Sequence, residues 1–252
     1  MAQRAGRREE QNTKGFFITG TDTGVGKTII SAALIKAIQT LGLKSCGMKP
    51  IETGCKQTEN RKGTDSLIPS DGAFLREITG TDESIDLITP VRFENPLAPL
   101  PASEIEDKPI DLDKIKTAYR ELSSRYDVII VEGIGGLLVP IKREYFVIDL
   151  AKDFGFPIIV VSKPGLGTIN HTMLTVNYAI KEGLDVAGII INYTRPPEKT
   201  LAEVTNPDII RQISPVPLLG VFPFLKDFES ATIEKAAADS LNRETIRKYL
   251  AG

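Results

Sequence analysis

Tryptophan is absent from the 252-residue chain, histidine occurs once and cysteine twice. A single histidine excludes any multi-histidine metal centre. His171 also has no G-x-S-x-G nucleophile motif to serve, which argues against Ser–His hydrolysis. Cys46 and Cys55 do not form a C-x-x-C pair, and no other cysteine exists to build a metal or disulfide framework. They read as free thiols in a reducing cytoplasm. No uninterrupted apolar stretch approaches the ~18 residues of a membrane span, and no secretory apolar region follows the start. A charge excess is missing too. The 31 Lys+Arg and 33 Asp+Glu leave a net −2, which gives no electrostatic reason to bind nucleic acid or an anionic membrane.

What remains is an ordinary globular composition, 41% apolar and 25% charged, in a chain long enough to bury a substantial core. Residues 1–14, MAQRAGRREEQNTK, are almost entirely polar with both charge signs, and read as a flexible tail. From Gly15 to Gly252 the pattern alternates strand-like and helix-like. Phe16–Ile18, Lys44–Met48, Val128–Val131, Ile158–Val161 and Gly188–Ile191 are strand candidates, most of them continuously apolar and β-branched. Strands buried on both faces read that way.

Between them lie helical stretches. Ile30, Ala33, Leu34, Ala37, Ile38 and Leu41 recur at steps of three and four before Gly42. Asp111 caps a helix carrying Leu112, Ile115, Tyr119 and Leu122; Val147–Phe154 ends at Gly155, and Ile169–Glu182 at Gly183. Asn206-Pro207 is expected to start another helix, with Pro207 at its first position, and one polar helical stretch is expected from Thr232 to Leu250. The proline-rich segment Asn95–Pro101 reads as a loop. The fold expected is a single doubly wound α/β domain, a mostly parallel sheet flanked by helices.

Gly20-Thr21-Asp22-Thr23-Gly24-Val25-Gly26-Lys27-Thr28 joins the first strand to the first helix. A triphosphate carries several anionic oxygens within a few ångströms. A glycine-containing turn aims successive N–H groups at them, and the helix N-terminus adds positive partial charge. Lys27 is placed to neutralise the β/γ-phosphates and the Thr28 hydroxyl to ligate Mg²⁺. Strict G-x-x-x-x-G-K-[ST] spacing would place a glycine where Thr21 stands. The acidic partner expected for the metal is Glu132, after Val128–Val131, with Gly133, Gly135 and Gly136 letting the backbone approach a ligand.

GTDTGVGKT (20–28), GMKPIETG (47–54), VEGIGGLLVPI (131–141), PGLGTINHTMLT (164–175), IINYTRPP (190–197) and PLLGVFPFL (217–225) occur in that order. Together they resemble the dethiobiotin synthetase family, ATP-dependent enzymes of P-loop NTPase-like fold that close the ureido ring on the way to biotin. The resemblance implies that one amine of 7,8-diaminononanoate (diaminopelargonic acid) takes up CO2 as a carbamate. ATP then phosphorylates the carbamate, and the second amine displaces phosphate. It implies catalytic roles for Lys27 and Lys49, with substrate contacts from Thr53 and Thr23. Gly167, Thr168, Ile169 and Asn170 would hold the substrate's carboxylate end from the neighbouring subunit of a homodimer.

The resemblance assigns the nucleotide to Gly24, Val25, Gly26, Lys27, Thr28, Ile29, Asp71, Glu132, Gly133, Ile134 and Gly135, with Asn192, Tyr193, Pro223, Phe224 and Leu225 around the adenine. Mg²⁺ is assigned to Thr28, Asp71 and Glu132. On its residues alone Asp71 reads equally well as a helix N-cap, with Ser70 as competitor, and His171 as a packing residue. Cys55–Pro69 matches no motif and reads as a loop over the site. ATP-switch proteins of the chromosome-partition and septum-placement type share such a loop, but carry a further lysine where Asp22 stands here.

Overall fold

The β-branched runs assemble into one sheet. The computed structural model describes residues 13–58 and 67–251. In chain order it runs β1 (Lys14–Gly20), α1 (Lys27–Gln39), β2 (Ser45–Met48), β3 (Ile51–Glu52), β4 (Lys56–Gln57), β5 (Leu67–Ile68) and α2 (Ser70–Thr79). Next come α3 (Ile85–Ile88), β6 (Val91–Arg92), α4 (Pro99–Ile105), α5 (Leu112–Ser123), β7 (Val128–Glu132), β8 (Pro140–Lys142) and β9 (Tyr145–Phe146). The remainder is α6 (Val147–Phe154), β10 (Ile158–Ser162), α7 (Thr168–Lys181), β11 (Val186–Asn192), α8 (Leu201–Ile213), β12 (Leu218–Phe222), α9 (Ser230–Ser240) and α10 (Arg243–Ala251).

Six strands form a wholly parallel sheet in the order β12-β11-β10-β1-β7-β2. Successive side chains on each strand enter opposite apolar layers. Phe17, Ile129, Val131, Val160 and Ile189 face a layer with Ile115, Leu122, Ala151, Val176 and Ile210. Phe16, Ile18, Ile130, Ile159, Val161 and Ile190 face a layer with Ile30, Leu34, Leu75, Ile233 and Leu250. Helices cover both faces, so neither face retains the polar alternation of a solvent-exposed sheet. The chain winds out from β1 to β2 and β7, then crosses to β10, β11 and β12. A crevice therefore opens at the carboxyl end of β1, where the phosphate loop lies.

The structure moves several expected boundaries. Lys14 belongs to β1 and the Thr13 hydroxyl donates to Ser123 O at 2.9 Å, so the ordered chain starts before Gly15; residues 1–12 lie outside the described residues. Asn95–Pro101 is not all loop, because Pro99 opens α4 at a first-turn position where its missing N–H costs nothing. Pro207 does not start a helix. α8 begins at Leu201 under a Thr200 cap that accepts from Glu203 N, and Pro207 sits inside it. The Glu203 carbonyl deprived of a partner by Pro207 accepts from the Tyr193 hydroxyl at 3.4 Å instead.

The C-terminal stretch is two helices, α9 and α10. It breaks at Leu241-Asn242 because that pair bonds the edge strand: Leu241 bridges Gly220, and Asn242 N donates to Leu219 O at 2.7 Å. This covers part of the β12 edge. Of the Cys55–Pro69 segment, Lys56–Gln57 pairs antiparallel with Leu67–Ile68, and residues 59–66 lie outside the described residues.

Candidate active site

The phosphate loop is positioned by β1 and α1. Thr21 N donates to Val161 O at 2.9 Å, which ties the loop's start to β10. Gly24 and Gly26 have φ of 70° and 85°, a backbone region that disfavours side chains. A Cβ on Gly26 would also lie 2.1 Å from Asn192 Nδ2, so this glycine is demanded by space as well as conformation. Val25 is fully buried and anchors the loop in the α1-side layer, against which Ile29 is also packed. The Asp22 carboxylate accepts from Thr23 N at 2.7 Å, and its carbonyl accepts from Lys27 Nζ at 3.2 Å.

Next to the loop lies a cavity of about 260 Å³ lined by Thr23, Gly24, Gly26, Lys27, Thr28, Lys49, Glu52, Thr53, Asp71, Glu132, Ile134 and Gly135. At its centre the Lys49 ammonium sits 2.5 Å from Glu132 Oε1 and 3.0 Å from Asp71 Oδ2, and 3.4 Å from Gly133 O. Thr28 Oγ1 donates to the same Glu132 oxygen at 3.0 Å. Burying Lys49 alone would lower its pKa, but Glu132 and then Asp71 outweigh this and hold the ammonium charged well above the ordinary lysine range. Lys27 goes the other way, pushed down to about 8 by burial and then by the positive charge of Lys49. Two buried lysines at one cavity are costly to fold, and such placement marks sites that receive anions.

The donor set fits a hard divalent cation. A hydroxyl and two carboxylates are oxygen ligands of the kind Mg²⁺ takes alongside water. Glu132 Oε2 is also buried with no hydrogen-bond partner, leaving an acceptor that a cation or its water can use. No group of three or more His, Cys, Asp or Glu among the described residues has the arrangement of a metal cage.

Asp71 is not a helix cap, nor is Ser70. Pro69 occupies the N-cap of α2 and offers no acceptor side chain. The acceptor comes from Glu52, a residue the sequence reading overlooked. Its Oε1 accepts from Ser70 Oγ at 3.2 Å and Asp71 N at 2.9 Å, and its Oε2 from Gly72 N at 2.9 Å. Burial, then the Asp71 charge, raises the Glu52 pKa. No sequence signal pointed to it, because Ser70 and Asp71 both read as caps of their own until Pro69 proved to occupy the N-cap.

A second cavity, about 530 Å³, borders the loop at Thr21, Asp22 and Gly24. It is lined by Thr21, Asp22, Gly24, Lys163, Gly165, Leu166, Thr168, His171, Tyr193, Arg195 and Glu203, among others. His171 is exposed here rather than packed. Thr168 thus borders this cavity and not the one holding Lys49. Gly167 is the N-cap of α7, and Ile169 and Asn170 follow in its first turn without lining either cavity. Asn206 holds the approach to that turn, donating to Pro164 O at 2.9 Å and Gly165 O at 3.0 Å.

Asn192 donates its Nδ2 to Val25 O at 2.8 Å, so it braces the phosphate loop. Pro223 is exposed, Phe224 half-buried and Leu225 buried in the α1-side layer. None of these four lines either cavity.

The profile of an AAA domain matches residues 14–232. ATP-dependent dethiobiotin synthetase BioD of Thermodesulfovibrio yellowstonii is 44% identical over 92% of this chain and 98% of its own length. The enzymes of the same name from Methanocaldococcus jannaschii and Bacillus licheniformis are each 38% identical. They cover 85% and 94% of this chain, and 96% and 97% of their own lengths. The chain belongs to the ATP-dependent dethiobiotin synthetase family.

Members of this family are ATP-dependent ligases of biotin biosynthesis. Solved structures place the fold among P-loop NTPases. The septum site-determining protein MinD of Pyrococcus horikoshii, complexed with Mg-ADP, aligns with a TM-score of 0.55 at 17% identity over 94% of each chain. A ParA family ATPase of Chlorobium tepidum aligns at 0.52 and 14% identity, over 96% of this chain and 99% of its own.

Proposed function

We propose that the chain catalyses ATP- and Mg²⁺-dependent closure of 7,8-diaminononanoate with CO2 to dethiobiotin. The observation that carries this reading is Lys49, a buried cation beside the phosphate-loop lysine in one cavity. In the first step an amine nitrogen bonds to CO2 and loses a proton, giving a carbamate anion. A carbamate oxygen then bonds to the γ-phosphorus as the bond to ADP breaks. Finally the second amine bonds to the carbamoyl carbon and releases a proton, phosphate leaves with the electron pair of the broken C–O bond, and the urea ring closes.

Holding an anionic oxygen in line with a phosphoryl group requires cations already in place. Lys27 faces the phosphates and Lys49 bridges toward the carbamate. Thr23 and Thr53 border the space left for the diamine. Thr28, Asp71 and Glu132 would hold Mg²⁺, which when bound neutralises charge on the transferring phosphoryl group.

A homodimer accounts for the second set of predicted residues. Leu166 and Leu174 around α7, with Leu201 and Val204 of α8, are 96%, 62%, 84% and 63% exposed, apolar surface of the kind that marks a protein interface. Paired through this face, one subunit's α7 N-terminus would present its N–H groups to the carboxylate of a diamine bound beside the other's Lys49. No helix among the described residues is long and apolar enough to cross a membrane, which supports the cytoplasmic setting that ATP and biotin precursors require.

The decisive experiment measures phosphate release from MgATP with bicarbonate, with and without diaminopelargonic acid, and checks the product by mass spectrometry. Diamine-dependent release with stoichiometric dethiobiotin is expected. Hydrolysis indifferent to the diamine would move the chain to the ATP-switch reading.

A further inference from the structure

Glu52 is the acidic residue of the cavity with no place in the reaction described above. Its side chain is buried at 4% exposure in the two-residue strand β3, three residues beyond Lys49. Both its oxygens are consumed by the start of α2, through Ser70 Oγ, Asp71 N and Gly72 N. The helix cannot cap itself, because Pro69 has neither a side-chain acceptor nor a local substitute. The far side of the same turn is also closed. A Cβ on Gly72 would lie 1.9 Å from Thr89 Oγ1, so Gly72 is pressed directly onto the segment after α3. Lys49 N in turn donates to Ile88 O at 2.8 Å, tying the lysine's backbone to that segment. Between these contacts Asp71 has its place, 3.0 Å from the Lys49 ammonium.

We propose that Glu52 is a positioning residue: by capping α2 from a neighbouring strand it fixes Asp71, and through Asp71 the Lys49 ammonium, in the geometry that ring closure requires. The inference deepens the proposed function and rests on it for its kinetic readout. Glu52 itself makes no contact with reactants in this role. Its carboxylate takes the place of the missing N-cap, and a helix start anchored on the strand that follows Lys49 cannot drift relative to that lysine. Supporting groups of this kind cost about 10- to 100-fold in activity when removed.

The test compares E52A, E52Q, P69S and the double variant E52A/P69S in the full chain. A serine at position 69 places a hydroxyl acceptor at the N-cap, where the backbone already has φ −79° and ψ 113°. Dethiobiotin formation by the unmodified chain is measured first, which checks the activity separately from the positioning. Amide hydrogen exchange at Asp71 and Gly72 then reports capping whether or not turnover occurs. In E52A, exchange at both amides is expected to accelerate and kcat to fall about 10- to 100-fold, with ATP affinity retained. E52Q, which keeps one acceptor oxygen, is expected to fall between, and P69S alone to behave as the unmodified chain.

The double variant decides the matter. A hydroxyl cap in E52A/P69S that slows exchange and recovers most of kcat supports positioning. Slowed exchange without recovery of kcat would overturn it, because Glu52 would then act on a reactant directly. Unchanged kcat or unchanged exchange in E52A would overturn it as well.

Discussion

At the residue scale, the proposed function divides binding and chemistry between Lys27 and Lys49, which share one cavity. Lys27 belongs to the phosphate loop and is held by a loop carbonyl, whereas Lys49 arrives on the strand edge of β2 and is held by Glu132 and Asp71. Truncation of Lys49 therefore leaves the phosphate-binding amides and Lys27 intact. K49A is expected to lose ring closure by about 10²–10³-fold or more, the cost of removing one preorganised charge partner. Isothermal titration should find MgATP affinity largely unchanged, and a parallel collapse of nucleotide binding would contradict the division of labour. Lys27 was legible from the phosphate loop itself, whereas Lys49, at a strand end, was singled out only by the family resemblance. Glu52 was not, because its role depends on a helix start 18 residues later in the chain. The resemblance placed Asn192 against the adenine; the bond it makes here, to Val25 O, depends on which strands lie side by side.

The element scale shows where local pattern is sufficient and where tertiary partners override it. The α6 boundaries follow from an apolar stripe and the terminal Gly155, which adopts φ 69°. Asp111 caps α5 as its position predicts, its carboxylate accepting from Lys114 N at 3.0 Å. D111A is expected to lower stability by about 1 kcal/mol with kcat unchanged, measured by urea denaturation; α5 lies away from both cavities. Pro207 misled because a proline inside a helix is tolerated only when the freed carbonyl finds another donor. Here that donor is Tyr193, which comes from the end of β11. The break between α9 and α10 was hidden for a similar reason, since the residues there bond to an edge strand rather than to their own helix.

For the whole molecule, the strand–glycine loop–helix sequence made the phosphate loop predictable and the strand order then placed it at the sheet's switch point, whereas the pairing of two chains lies outside what one fold reports. Thr168 of the α7 N-terminus and Lys49 line two different cavities that both border the phosphate loop. In the proposed homodimer, a substrate would span Lys49 of one chain and the α7 N-terminus of the other. Co-expression of K49A with N170D tests this directly. Asn170 is exposed in the first turn of α7, and an aspartate there would repel a substrate carboxylate without removing a buried group. Each variant alone is expected to be nearly inactive. Random pairing makes half of the dimers mixed. If sites are shared across the interface, one site in each mixed dimer carries both defects and the other none. Activity should then return to about a quarter of the unmodified level, the share of intact sites in a twofold-symmetric pair. If each chain instead builds its whole site alone, every site in every dimer carries one defect, and mixing restores nothing.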